Sequence, residues 1–253
     1  MSFRLFIRIL FLIIFIFLTV IFTIFLIPLE LRSYQKIPKN AEEYLPVLVD
    51  VLVDCWNEIW HWDILAGQIE QETCISLTHS KCWNPKAELK TSREYGFGLA
   101  QITIAYDSEG RERFNNFKEA TKLDKTMKDW RWEDRFNPYY QIRFLVLKDR
   151  QIFYLIKWTE DELNRFAFTL SAYNGGLNGM LRDRKMCETI PGCDPNIWFD
   201  NVEKESWRSK IKVSGYGKSF FEINREYVSK ILKERRFKSV SYTHLTLPTI
   251  YSV

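Results

Sequence analysis

Residues 62–101 read WDILAGQIEQETCISLTHSKCWNPKAELKTSREYGFGLAQ, and the remaining chain is best interpreted outward from them. They begin with side chains at steps of three and four residues, which share or flank one face of an α-helix: Ile64, Leu65, Gln68, Ile69 and Glu72. Asp63 stands just ahead of this run and is the predicted N-cap. Such a helix carries Glu72 near its C-terminal end, where the negative pole of the helix dipole raises the pKa of a carboxyl group. Because a proton donor at neutral pH needs a raised pKa, Glu72 is the candidate general acid.

The residues around Glu72 resemble a known family. Gln71-Glu72-Thr73 is similar to the Gln-Glu-Ser that carries the catalytic glutamate of soluble-type lytic transglycosylases and the related goose-type lysozymes. Further boxes follow in that family's order, and they are Asn84-Pro85, Ser92 with Gly96-Phe97-Gly98-Leu99-Ala100-Gln101, and Ala172-Tyr173-Asn174-Gly175-Gly176. Glu222 with Tyr227-Val228 loosely resembles the closing Glu-Thr-x-x-Tyr-Val, although this glutamate lies one residue too far from the tyrosine.

The resemblance implies a mainly α-helical, lysozyme-like single domain, which we place at residues 41–238. It implies that Glu72 is the catalytic residue and that Tyr173 lies beside it, where its hydroxyl could orient the carboxyl group. It also implies a substrate-binding set, which comprises Gln101, Tyr173, Asn174, Gly98 and Ser92.

The family's chemistry needs one carboxyl group. It protonates the bond between N-acetylmuramic acid and N-acetylglucosamine, then takes the proton of the muramyl C6 hydroxyl, which attacks C1 and leaves a 1,6-anhydro product. A glycoside hydrolase usually needs two carboxyl groups. Glu94 is the candidate for the second, and the alternative is a solvated charge in a loop. We therefore predict a peptidoglycan lytic transglycosylase without metal or cofactor, with a hydrolytic muramidase and a non-catalytic wall-binding protein as the alternatives.

The N-terminal residues predict a membrane anchor. The run from Ile9 to Ile27 is uncharged and long enough at about 1.5 Å per residue to span a bilayer core of roughly 30 Å. We assign residues 1–28 to this anchor and residues 29–40 to a connector. A cleavable signal peptide is the alternative, although no small-residue cleavage site follows. Arg4 and Arg8 favour a cytoplasmic N-terminus, with the catalytic domain exported to the periplasm or facing the cell wall.

Periodic apolar residues predict further helices beyond the Glu72 segment. Thr159 is the predicted N-cap of one of them, because Glu162 follows it at capping-box spacing. The region from Asp107 to Asp129 is expected to be a surface helix or a long loop, and residues 92–103 a loop or short β-like element. The predicted helices are Ala41 to Trp60, Pro138 to Trp158, Glu160 to Tyr173 and Phe220 to Arg236.

Cysteines, charge and the C-terminal tail complete the prediction. Cys74 with Cys82 and Cys187 with Cys193 could each close a small disulfide in an exported domain, or stay reduced as buried small residues, and no zinc spacing is present. The net charge of +4 suits an anionic wall polymer or a membrane surface and is far from the charge typical of a nucleic-acid-binding protein. The composition changes abruptly at residues 239–253, which contain no Asp, Glu, Lys or Arg and have no place in the predicted fold, so we treat this tail as non-native and assign it no function.

Overall fold

The structure, a computed structural model, describes residues 38–59, 61–208, 210–213 and 215–238. The predicted anchor at residues 1–28, most of the connector and the tail at residues 239–253 lie outside these ranges. Within them, no helix combines the length and the apolar character needed to cross a bilayer.

The described part of the chain is mainly helical with a small sheet. Its helices are α1 (Lys39–Cys55), α2 (Trp62–Thr73), α3 (Asn116–Leu123), α4 (Pro138–Leu155), α5 (Glu162–Gly175), α6 (Leu177–Cys187) and α7 (Phe220–Lys230), which continues as a π-helical turn over Ile231–Arg235. Short 3₁₀ helices occupy Lys125–Met127, Trp132–Asp134 and Val202–Lys204. The predicted connector is two residues too long, because α1 already begins at Lys39, and α1 ends at Cys55 instead of Trp60.

The sheet is a four-stranded antiparallel meander in the order β1 to β4. Its strands are β1 (Glu88–Lys90), β2 (Glu94–Phe97), β3 (Ile102–Tyr106) and β4 (Glu112–Asn115). In the central pair, Tyr95 lies opposite Ile104 and Phe97 opposite Ile102. The sequence predicted the β-like element after residue 92 but missed β1 and β4, because three- and four-residue strands are too short to display a clear alternation.

Helices α1, α4 and α5 enclose the main apolar core. The helices α1 and α4 pack together, α4 packs against α5, and α5 packs against both α6 and α7. Trp56, directly after α1, is fully buried and meets Phe153 of α4 edge-on at 5.2 Å and Phe166 of α5 at 5.9 Å between ring centroids. Aromatic contacts of this kind add to the stabilisation from buried area and fix the angles between the three helices.

The helix α2 is buried along most of its length and is held by the C-terminal segment. At Gly67, a Cβ atom would lie only 2.9 Å from the backbone nitrogen of Arg236, so the two segments approach more closely than a side chain allows. Ion pairs reinforce this contact, since Arg235 Nη1 lies 2.7 Å from Glu70 Oε1 and Arg236 Nε lies 2.7 Å from Asp63 Oδ2. The C-terminal segment therefore supports the helix that carries Glu72.

Two predicted N-caps are wrong. The helix α2 begins at Trp62 after His61, so Asp63 lies inside the first turn and binds Arg236 instead of capping. The N-cap of α5 is Asp161, whose carboxylate accepts a hydrogen bond from the backbone nitrogen of Asn164 at 2.6 Å, in place of Thr159. In both cases the observed N-cap lies two residues from the predicted one, which is enough to change which side chain reaches the free N–H groups.

Gln141 of α4 holds the turn between β2 and β3. Its carboxamide oxygen accepts a hydrogen bond from Leu99 N at 2.8 Å, and its nitrogen donates to Pro85 O at 2.9 Å. The backbone of Gly98 has φ +76°, and a Cβ atom there would lie 2.3 Å from Cδ of Gln141. Gly98 is therefore required by both its conformation and its contact with Gln141.

We expect Gln141→Ala to lower the free energy of unfolding by about 2–4 kcal/mol, because it leaves the buried Leu99 N–H without its acceptor and a cavity beside Gly98. Denaturant unfolding of the full chain measures this change. Gln151→Ala is the matched control, since Gln151 lies on the same helix and is exposed. Equal stability of the two variants would contradict the role assigned to Gln141.

Candidate active site

Glu72 is the last residue but one of α2, as predicted, and the chain beyond it is firmly held. The hydroxyl of Thr73 donates to Ile69 O at 2.7 Å and accepts a hydrogen bond from Trp83 N at 3.0 Å. This buried threonine joins the end of the helix to the loop that follows, so it limits how far the end of the helix can move.

The cysteine pairs considered in the sequence form disulfides in the structure. Cys74 is bonded to Cys82 with a sulfur–sulfur distance of 2.05 Å, and Cys187 is bonded to Cys193. Cys55 is buried and takes part in neither. The Cys74–Cys82 bond closes the loop that begins two residues after Glu72 and restricts the loop's conformations in the unfolded chain.

The carboxyl group of Glu72 is surrounded by protein, while the residue keeps a partly exposed surface. Burial raises its pKa from 4.5 to about 8, and a hydrogen bond donated by the Tyr227 hydroxyl to Oε1 at 2.5 Å offsets part of that rise. The raised pKa agrees with the sequence prediction, and its largest cause is desolvation. Glu72 is therefore largely protonated at neutral pH.

Tyr227, and not Tyr173, orients Glu72. The hydroxyl of Tyr173 donates to the backbone oxygen of Ala100 at 2.8 Å, so it stabilises the turn between β2 and β3. Tyr227 lies in the closing motif, whose match to the family is loose because Glu222 stands one residue out of register. In the structure Glu222 forms a capping box with Ser219 at the start of α7, so it has a structural role.

A cavity of about 400 Å³ opens beside Glu72. Of the predicted substrate-binding residues, Asn174 lines it, and Asn224 donates a hydrogen bond to the Asn174 side-chain oxygen at 3.1 Å. Besides Glu72 and Tyr227, the lining residues that the sequence did not predict are Gln71, Tyr216, Lys218, Ile223, Glu226 and Lys230. Ile223, Glu226 and Lys230 lie on α7 at helical spacing, a signal that could have been recognised once the orientation of that helix was known.

The wall of the cavity formed by α7 carries a charged cluster. Glu226 lies between two lysines, with Lys230 Nζ at 2.7 Å and Lys218 also in contact, and both lysines lower the pKa of Glu226 through their hydrogen bonds. The cluster holds two cations and one anion, so this wall has a net positive charge and suits an anionic ligand.

The other predicted substrate-binding residues do not line this cavity. Gln101 has φ +41°, and its side-chain nitrogen donates to Gly98 O at 2.9 Å, so it stabilises its own turn. Ser92 is exposed between β1 and β2, and Gly98 packs against Gln141. Gly98 and Gln101 therefore belong to the turn between β2 and β3 that Tyr173 also contacts, whereas Ser92 lies at the other end of β2.

Glu94 is the first residue of β2, and its carboxylate accepts a hydrogen bond from the Tyr216 hydroxyl. Tyr216 lines the cavity, whereas Glu94 does not. Glu94 is also not among the groups that shift the pKa of Glu72. The arrangement therefore gives no support to Glu94 as the second carboxylate.

Comparisons with known proteins add no family. No family model matches this chain, and a search of curated proteins finds no significant match. In addition, the described residues contain no group of three or more histidine, cysteine, aspartate or glutamate side chains placed to hold a metal ion. The resemblance to lytic transglycosylases stays a prediction from the motifs.

We expect Tyr227→Phe to raise the pKa of Glu72 by about one to two units, because a hydrogen bond to the carboxylate favours the charged form. Carbon-13 NMR titration of the Glu72 side chain in the labelled full chain measures this shift. Tyr173→Phe is the matched control and should leave the pKa nearly unchanged, since its hydroxyl binds Ala100. A similar shift in both variants would contradict the assignment.

The raised pKa of Glu72 also makes stability depend on pH. The folded chain binds this proton more tightly than the unfolded chain, so the stabilisation is complete below about pH 4.5 and is lost as pH rises towards about 8. Glutamine does not titrate, so we expect Glu72→Gln to keep its stability over this range. Its free energy of unfolding should therefore rise relative to that of the wild type between pH 5 and pH 8. Urea unfolding across that range measures the difference, and parallel pH profiles would refute it.

Proposed function

We propose that this chain is a peptidoglycan lytic transglycosylase with a lysozyme-like fold and that Glu72 is its single acid and base. The observation that carries the proposal is that Glu72 lies at the wall of a 400 Å³ cavity with the pKa of its carboxyl group raised by desolvation to about 8. A group in this state can give a proton to a substrate at neutral pH, and few surface carboxyl groups can.

In the proposed reaction, Glu72 donates its proton to the oxygen of the bond between N-acetylmuramic acid and N-acetylglucosamine. The bond from C1 to that oxygen breaks, and Tyr227 stabilises the new Glu72 carboxylate through its hydrogen bond. The carboxylate then takes the proton of the muramyl C6 hydroxyl as its oxygen bonds to C1. Glu72 is protonated again, the product is a 1,6-anhydro sugar, and no water is consumed.

The arrangement of the other carboxylates favours this route over hydrolysis. A hydrolytic muramidase needs a second carboxylate that can activate water or stabilise the cation. Glu226 lines the cavity, but Lys218 and Lys230 both engage it, and Glu94 is bonded to Tyr216. A reaction in which the substrate supplies the nucleophile does not need either of them.

The proposed partners are peptidoglycan strands and, through residues 1–28, a membrane, with the catalytic domain outside the cytoplasm. Two disulfides support this location, because such bonds persist mainly in oxidising compartments. The positive wall of the cavity is compatible with an anionic wall polymer.

The test is mass spectrometry of the muropeptides released from purified peptidoglycan by the full chain. We expect products lighter by one water than hydrolysis products, and their loss in Glu72→Gln by at least about a hundredfold. Glu94→Gln is the matched control and should retain activity. Cleavage by the Glu72→Gln variant would refute the role of Glu72.

The same measurement separates the alternatives. Reducing-end products would establish a hydrolase and direct attention to Glu226 as the second carboxylate. If the wild type released nothing but co-sedimented with peptidoglycan, it would be a wall-binding protein.

A further inference from the structure

Asp149 is a fully buried acid that the proposed reaction does not use. It lies in α4 and has an exposed fraction of 0%, and its neighbours on that helix include the buried Val146, Ile152 and Phe153. An ionised carboxylate without partners in such surroundings is strongly unfavourable, so a buried acid of this kind either finds a cation or holds a proton.

The group facing Asp149 is Gln68, which is also fully buried. Gln68 lies on α2 four residues before Glu72, so the two side chains are neighbours one turn apart on the same helix. As a hydrogen-bonding neighbour the carboxamide lowers the pKa of Asp149, but by less than burial raises it. Yet among the described residues, both Asp149 oxygens and both Gln68 polar atoms have no partner in hydrogen-bond geometry.

A proton on Asp149 would give all four of these polar atoms a hydrogen-bond partner. The carboxyl O–H can donate to the amide oxygen of Gln68 while the amide nitrogen donates to the other carboxyl oxygen, giving a closed pair of hydrogen bonds. An ionised Asp149 could only accept, which would leave the oxygen of Gln68 without a donor.

The charged and titratable groups around Asp149 favour the same state. Glu72 of α2, Tyr173 of α5 and Tyr227 of α7 are all coupled electrostatically to it, and none of these groups becomes a cation. Lys148 on its own helix is the cation that acts on it, and its effect is the smallest. Burial raises the pKa of Asp149 well above its ordinary value, and the charge of Glu72, when that group is ionised, raises it further.

We propose that Asp149 is an uncharged positioning residue for Glu72, whose protonated carboxyl group pairs with the Gln68 carboxamide and fixes the last turn of α2 without placing a second negative charge beside Glu72. Its role in catalysis rests on the function proposed above. The protonation of Asp149 and its pairing with Gln68 do not depend on that function.

The first experiment compares wild type with Asp149→Asn as full chains. Asparagine keeps the shape and can form the same neutral pair, so the pKa of Glu72, read by carbon-13 NMR without substrate, should stay within about 0.3 units of the wild-type value. The wild type should also lose stability relative to Asp149→Asn as pH rises from 5 to 8, because only aspartate can release a proton. A fall of one unit or more in the pKa of Glu72 would show that Asp149 is charged and would overturn the proposal.

The second experiment tests positioning with Asp149→Leu and, from the other side of the pair, Gln68→Leu. Either change leaves one buried partner unsatisfied, and we expect kcat on peptidoglycan to fall about 10- to 100-fold with little change in KM. Asp149→Asn should keep kcat within about twofold of wild type because it keeps the pair. A folded leucine variant with the kcat of the wild type would overturn the positioning role.

Met180→Ala is the control for general destabilisation. Met180 is buried in α6, whose residues do not line the cavity, so this variant should lose stability without a comparable loss of kcat. If the wild type does not cleave peptidoglycan, the proposed function and the positioning role fail together, while the NMR and stability measurements still decide whether Asp149 is neutral.

Discussion

The desolvation of one carboxyl group is the constraint that the candidate site depends on. A glutamate with a pKa of about 8 has lost much of the water that would stabilise its charge, so desolvation of the ionised form is unfavourable and must be offset elsewhere in the fold. Glu72 is kept in this position by a buried helix whose end is held by Thr73 and by the Cys74–Cys82 bond. The hydrogen bond from Tyr227 then stabilises the charge when it appears, without removing the tendency to hold a proton.

The acids of α2 differ because their surroundings differ. Asp63 and Glu70 form ion pairs with Arg236 and Arg235, whereas Glu72 accepts a hydrogen bond from Tyr227 and has no ion pair among the described residues. The same helix therefore attaches to the C-terminal segment through two of its acids, while the third lines the cavity.

The parts of the fold that were predictable from sequence are those with strong helical periodicity. The start of the helix at Pro138 was placed correctly, the Glu72 helix begins two residues earlier than an N-cap at Asp63 implies, and Glu72 and Asn174 line one cavity. The short strands β1 and β4 were missed because they carry too few residues for a pattern. The roles of Tyr173 and Tyr227 could not be separated from sequence, since only the packing of α5 and α7 decides which hydroxyl reaches Glu72. The membrane anchor lies outside the described residues and stays a prediction.

The π-helical turn over Ile231–Arg235 sets the rotational phase of the C-terminal segment. A π turn contains one residue more than an α turn, so residues five apart, instead of four, share a face. Before this turn the segment presents Tyr227 to Glu72, and after it Arg236 faces Asp63. Removal of a single residue within the turn would restore regular winding and rotate the following arginines by about 100°. The segment could then no longer place Tyr227 at Glu72 and Arg236 at Asp63 at the same time. The length of this turn is therefore as much a requirement of the site as any side chain in it.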